Sequence, residues 1–254
     1  EWNQNTLPES KGSVDTVISY EQSLRLMADP STPKYDEKWR LIVYKVDANG
    51  YKRDAKKQST YNTNIARGDK DKHFIAVHGT AADHGVSGGL TDEKLDQSWF
   101  HTMLDTGLYP YFISKKGIVF STTENDANHP ACVNDKANAI TGYDRLNNKG
   151  IAIEMSLRTD GQGSVEKPND KQMQSGRDLI LALRGKYNIG AGNVITSKDP
   201  VRDPVTGEFK GEHSDDFDDS VRAAMGIARY ADTARRFREK KFFNDEQATN
   251  AKLE

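Results

Sequence analysis

From residue 72 onward, short apolar runs alternate with longer stretches of helical periodicity, and this alternation constrains the fold more than any other feature of the chain. The runs lie at residues 73–78 (HFIAVH), 111–114 (YFIS), 117–121 (GIVFS), 150–156 (GIAIEMS) and 193–197 (NVITS). Each is short and rich in β-branched or aromatic residues, as strands are. Between them, Thr91 stands where a helix N-cap belongs, ahead of acidic first-turn residues. Met173, Gly176, Ile180, Leu183 and Tyr187 then recur at helical spacing before Gly190. One more helix is expected over residues 214–237, with Ser214 as cap and Val221, Met225 and Ala228 along one face. Because SKKG between the second and third runs reads as a hairpin, the expected fold class is α/β, a central mixed β-sheet flanked by helices.

Residues 1–70 read differently, as an N-terminal extension containing a short helix over residues 19–27 and a hairpin whose turn is Asn49-Gly50. It looks too short for a core of its own and lacks an evident exposed aromatic cluster, so it is expected to pack on the main domain, residues 71–235. Residues 236–254 form a charged C-terminal tail.

Composition removes several function classes. A formal net charge of -2 gives no basic field, so nucleic acid is not an expected partner. Cys132 is the only cysteine, which rules out an intrachain disulfide and a cysteine-rich zinc module. No run approaches the roughly 20 apolar residues of a membrane span.

Three residues break the local pattern in ways that point to chemistry. His78 ends the most apolar strand and is followed by the small residues GTAA. Glu154 interrupts GIAIEMS, where an unpaired charge would cost several kcal/mol or shift its pKa. Such an acid is either paired or poised for proton transfer. His213 lies in KGEHSDDFDD, among five carboxylates and one lysine. Two imidazoles, a strand-borne glutamate and nearby aspartates fit a zinc site with an open position for water. From the residues alone, these groups point to a metal hydrolase and to no particular substrate.

The order IAVHGTAA, YPYFISKKGIVF, NHPA, NNKGIAIEMS, a long helix, YNIGAGNVITSKD and a late histidine beside a lysine resembles the type 2 N-acetylmuramoyl-L-alanine amidases. These are zinc amidases related to the peptidoglycan recognition proteins, and the likeness covers about residues 72–235. It implies hydrolysis of the amide between N-acetylmuramic acid and the L-alanine of the stem peptide. The first zinc ligand is then His78, Glu154 activates the water, Tyr109 stands beside the metal and His129 in NHPA contacts substrate. His213 is a further zinc ligand and Lys210 stabilises the oxyanion.

The chain departs from this pattern at Ser197, where family members carry a histidine ligand. In one register His213 is the third ligand and the second place is vacant. In another, residues 201–213 form an inserted hairpin that returns His213 to the second place, and one of Asp215, Asp216, Asp218 or Asp219 completes the set. Asp199 is a further possibility. The expected partner is peptidoglycan or a muropeptide, with action in the cell envelope, as a periplasmic or secreted protein. No motif specifies an inhibitor or immunity protein. Competing readings are a recognition module that has lost its metal, and the same chemistry deployed as a secreted toxin or phage lysin.

Overall fold

The computed structural model describes residues 10–54, 72–79, 89–107, 109–122, 149–159, 166–203, 205–206 and 217–239. Among these residues seven strands form one sheet: β1 (Ser13–Ser19), β2 (Leu41–Asp47), β3 (Phe74–Gly79), β4 (Tyr111–Ile113), β5 (Val119–Thr122), β6 (Gly150–Met155) and β7 (Val194–Thr196). Their order is β1-β2-β5-β4-β6-β3-β7. Only β4 and β5 pair antiparallel, through the expected SKKG turn. The other pairings are parallel, so β1, β2 and β5 run one way and β4, β6, β3 and β7 the other. The sheet is therefore mixed and the fold α/β.

At the β4–β5 turn, Gly117 has φ +76°, and a Cβ there would lie 2.5 Å from the Lys171 carbonyl oxygen. Only glycine satisfies both constraints.

Among the described residues five helices flank the sheet: α1 (Tyr20–Ala28), α2 (Asp92–Thr106), α3 (Asp170–Tyr187), α4 (Asp219–Met225) and α5 (Tyr230–Arg238). The first three begin on side-chain caps, Ser19 and Asn169 in reciprocal capping boxes with Gln22 and Gln172, and Thr91 alone. The single helix expected over residues 214–237 is two helices. Gly226, at φ +75°, ends α4, and Ala228 then donates to the Val194 carbonyl, drawing the chain back to β7 before α5 starts. The cap of α4 is Asp218, and Ser214 lies outside the described residues.

The N-terminal region enters the same sheet. β2 runs into the expected turn, where Gly50 has φ +87°, and its sheet partners are β1 and β5. No strand follows within residues 51–54. Instead the Tyr51 hydroxyl and the Asp54 amide both donate to Asp105 on α2.

Strand alternation divides the core in two. One face carries Val43, Val119, Ile113, Ile153, Met155 and Val77 against Leu179, Ile180, Val221 and Met225 of α3 and α4. The other carries Tyr44, Phe120 and Phe112 against Leu95, Trp99, Phe100 and Met103 of α2. Each fully buried side chain of this size contributes about 1.5–3 kcal/mol relative to exposure. Among the described residues no helix is long and apolar enough to cross a membrane.

Candidate active site on the β6–β3–β7 face

A single cross-sheet row places the site. Tyr44, Phe120, Phe112, Glu154 and His78 are successive register partners along β2, β5, β4, β6 and β3. Partners in register point to the same face, so all five share one side of the sheet. Ser197 extends the row: its amide donates to the Val77 carbonyl at 3.0 Å, which continues the β3–β7 register one step beyond Thr196. The row thus changes character at the β4–β6 boundary, from three aromatic residues under α2 to glutamate, histidine and serine.

This local arrangement follows from the sequence of each strand. β3 and β6 are buried along their whole length, and Ala76 and Ala152 precede His78 and Glu154 on the same face. His78 is 6% exposed and Glu154 3%. Neighbouring strands lie roughly 5 Å apart, so His78 and Glu154 project side by side from adjacent strands. Tyr109, ahead of β4, brings its ring edge-on to His78 with centroids 5.3 Å apart. The structure therefore brings together three of the residues singled out from sequence: His78, Glu154 and Tyr109. Lys210, His213, His129, Asp215 and Asp216 lie outside the described residues.

Two of the other expected ligands, Asp199 and Asp218, are already occupied. Asp199 is fully buried and accepts from Arg222 Nη1 at 3.0 Å and Nη2 at 2.7 Å, and from the Thr196 amide and hydroxyl at 3.1 and 3.0 Å. Both its oxygens are committed, which removes it from the ligand set. Asp218 caps α4, accepting from the amides of Ser220 and Val221 and pairing with Lys167. The Lys167 ammonium, helped by those donors, holds its carboxyl well below the usual carboxylate range. Asp219 is exposed in the first turn of α4.

A catalytic zinc takes about three protein ligands and an open position. Among the described residues, no group of three or more His, Cys, Asp or Glu side chains is placed to hold a metal. The row supplies one imidazole, one carboxylate and one hydroxyl, which is short of a zinc set. His213, the further ligand that the resemblance implies, lies outside the described residues.

One acid near this row was not anticipated. Asp96 of α2 is 1% exposed, and its Oδ1 accepts from the Lys115 amide at 2.9 Å, just beyond the end of β4. Burial pushes its carboxyl up to about 6. Its place in the helix was a usable signal, because Asp96 shares a stripe with Trp99, Phe100 and Met103 that is otherwise apolar. The Asp199–Arg222 pair left no comparable mark, since its members belong to separate elements.

No protein-family model matches the chain, and no curated protein matches it. Among solved structures it is similar to two proteins of Clostridium intestinale URNW. Against the endolysin N-acetylmuramoyl-L-alanine amidase LysCS it is 19% identical, covering 65% of this chain and 94% of that one at a TM-score of 0.35. Against the N-acetylmuramoyl-L-alanine amidase LysC it is 20% identical, covering 65% and 96% at a TM-score of 0.36. A third similar structure, PlyL, is 17% identical over 55% of this chain and 76% of that chain, at a TM-score of 0.33. Likenesses at TM-scores of 0.33 to 0.36 decide neither fold nor activity for this chain.

Proposed function

We propose that the protein is a peptidoglycan hydrolase of the N-acetylmuramoyl-L-alanine amidase type, acting in the cell envelope. The observation that carries this reading is the placement of Glu154 in register with His78, with the Tyr109 ring against the imidazole. These are residues that the amidase-like motif order singles out, with Glu154 and His78 on one face of adjacent strands and Tyr109 reaching His78 from ahead of β4.

His78 and His213 would hold zinc, with the third protein ligand drawn from Asp215, Asp216 or Asp219. When bound, the metal supplies a Lewis acid for the scissile carbonyl and a water acidified to near neutral pH. Glu154 is positioned to take a proton from the attacking water and return it to the leaving amine. Its burial keeps competing bulk water away from that transfer. Tyr109 and Lys210 donate to the oxygen on which negative charge develops.

Ser197 favours a second reading. It stands level with His78 where the family pattern has a nitrogen ligand, so the chain would bind wall fragments without cutting them. Zinc content and release of stem peptides from purified peptidoglycan, before and after chelation, separate the two. About one zinc per chain with chelator-sensitive release is the expected result. Absence of both, where a reference amidase works, sinks the amidase reading in favour of the binder.

A further inference from the structure

The turn between α1 and β2 holds an aromatic residue in a conformation that its own backbone disfavours. Trp39 has φ 61°, one of two positive values among the described non-glycine residues, and is 63% exposed. A bulky residue in the left-handed region is an outlier that persists only where its surroundings impose it, and such outliers cluster at ligand clamps. Here the imposing frame is explicit. Asp36 Oδ1 accepts from the amides of Lys38 at 3.0 Å and Arg40 at 2.8 Å, while Oδ2 accepts from Arg40 Nε at 2.7 Å. The Trp39 amide donates to the Asp36 carbonyl at 2.9 Å, and the Asp36 amide to the Arg40 carbonyl at 3.0 Å. Behind the indole, Tyr35 packs with its ring centroid 6.2 Å away, itself anchored through its hydroxyl to Asp178 of α3 at 2.8 Å. The sequence had shown no aromatic cluster in this region because the two rings meet only when the turn closes.

We propose that Trp39, backed by Tyr35, is a sugar-stacking contact for the glycan of the cell wall, a second hold on the polymer apart from the Glu154–His78 site. The inference rests on the proposed function for the identity of that polymer. The surroundings of the indole select a sugar over a protein or a membrane. The other large hydrophobic residues exposed among the described ones are Val17 on β1, Leu90 ahead of α2 and Val205 after β7, so none of them adjoins Trp39 along the chain. Exposed Glu37 and Lys38 flank it instead, with Lys34 in the same turn. One aromatic face ringed by hydrogen-bonding groups of both signs fits a pyranose, whose C–H face stacks while its hydroxyls are bonded at the rim.

The position suits a long polymer. Val43, Val119, Ile113 and Met155 are successive register partners, so the start of β2 meets the sheet edge at which β3 and β6 end. β2 stands three strand spacings from β6, roughly 14 Å across the sheet. Tyr35 packs on the α3 side of the sheet and Glu154 faces the α2 side, so one sugar ring at Glu154 does not reach Trp39, and only a chain of rings passing over this end of the sheet would touch both.

Glycine accepts φ 61° without strain, so Trp39→Gly separates folding from binding. We expect this full-chain variant to melt at or above the wild-type temperature. Its affinity for purified sacculi, and for the same glycan stripped of stem peptides, should fall at least about fivefold, with Trp39→Phe intermediate. The same fivefold excess should appear when loss of release from sacculi is compared with loss on a short soluble muropeptide. Affinity for stripped glycan within twofold of wild type overturns the proposal, as does a loss confined to peptide-bearing material. If wild type releases no stem peptide but glycan binding still depends on Trp39, the amidase reading fails and the sugar contact stands. Stem-peptide release with glycan binding indifferent to Trp39 sinks the contact alone.

Discussion

Asp199 and Glu154 are both buried carboxylates, 0% and 3% exposed, yet they sit in opposite kinds of surroundings. Asp199 faces a guanidinium that is charged at every accessible pH, in a two-point clasp, and a threonine hydroxyl and amide complete its hydrogen bonds. Nothing is left with which to react. Glu154 stands in register between an aromatic ring, Phe112, and an imidazole, His78, a group that can both donate and accept a proton. A carboxylate matched to a permanent cation holds a fold together, whereas one matched to an imidazole can exchange protons. Burial alone does not distinguish the two, but the chemistry of the partner does.

The contrast is most exposed to test at Arg222. Arg222→Ala strands Asp199 in the core and removes donors to the Phe217 and Ala228 carbonyls. It should destabilise the protein by about 3–5 kcal/mol, read as a fall in the denaturant midpoint. A loss below about 1 kcal/mol would mean that the clasp is not structural. Glu154→Gln should do the reverse, lowering stem-peptide release by about 100-fold or more with little change in melting temperature. Normal turnover by that variant removes Glu154 from the chemistry.

Asp96 sharpens the comparison as an intermediate case, a buried acid with a neutral amide donor on Oδ1. Lys115 lies near its carboxyl and Asp92 adds a like charge. Its folded pKa of about 6 lies above the ordinary aspartate value near 3.9, so the folded state binds the proton more tightly. Its contribution to stability is full below about pH 4 and is lost as pH rises through about 6, a change on the order of 2 kcal/mol. Asp96→Asn should flatten that segment of the stability profile, gaining on wild type between pH 4 and 7. Parallel profiles would show that Asp96 is not the titrating group.

The smallest expected effect is at the end of the row. Ser197→His would place a nitrogen ligand level with His78, and zinc should bind about tenfold more tightly, worth about 1.4 kcal/mol. Unchanged affinity in a dialysis titration would mean that the vacancy at Ser197 is already filled by another ligand.

Legibility differed from element to element for physical reasons. β3, β4, β5, β6 and β7 appear within a few residues of their apolar runs, because strands buried on both faces leave an uninterrupted signature. β1 was missed: it is an edge strand with Ile18 its only buried residue, so SVDTVIS carries no apolar pattern. The break in the last helix was written in Gly226 but masked by apolar spacing that runs through it. In the site, His78 and Glu154 were visible singly as interruptions of their strands.

The sequence by itself determined the α/β class, the place of α1, the capped start of α2, and which residues break pattern, since these depend on local periodicity and side-chain reach. Only the tertiary structure decided that Glu154 faces His78, that Asp199 belongs to Arg222, and that Trp39 is held outward on Tyr35. Pairing in a parallel sheet joins residues far apart in the chain, and its register is set by how whole elements pack rather than by any local signal.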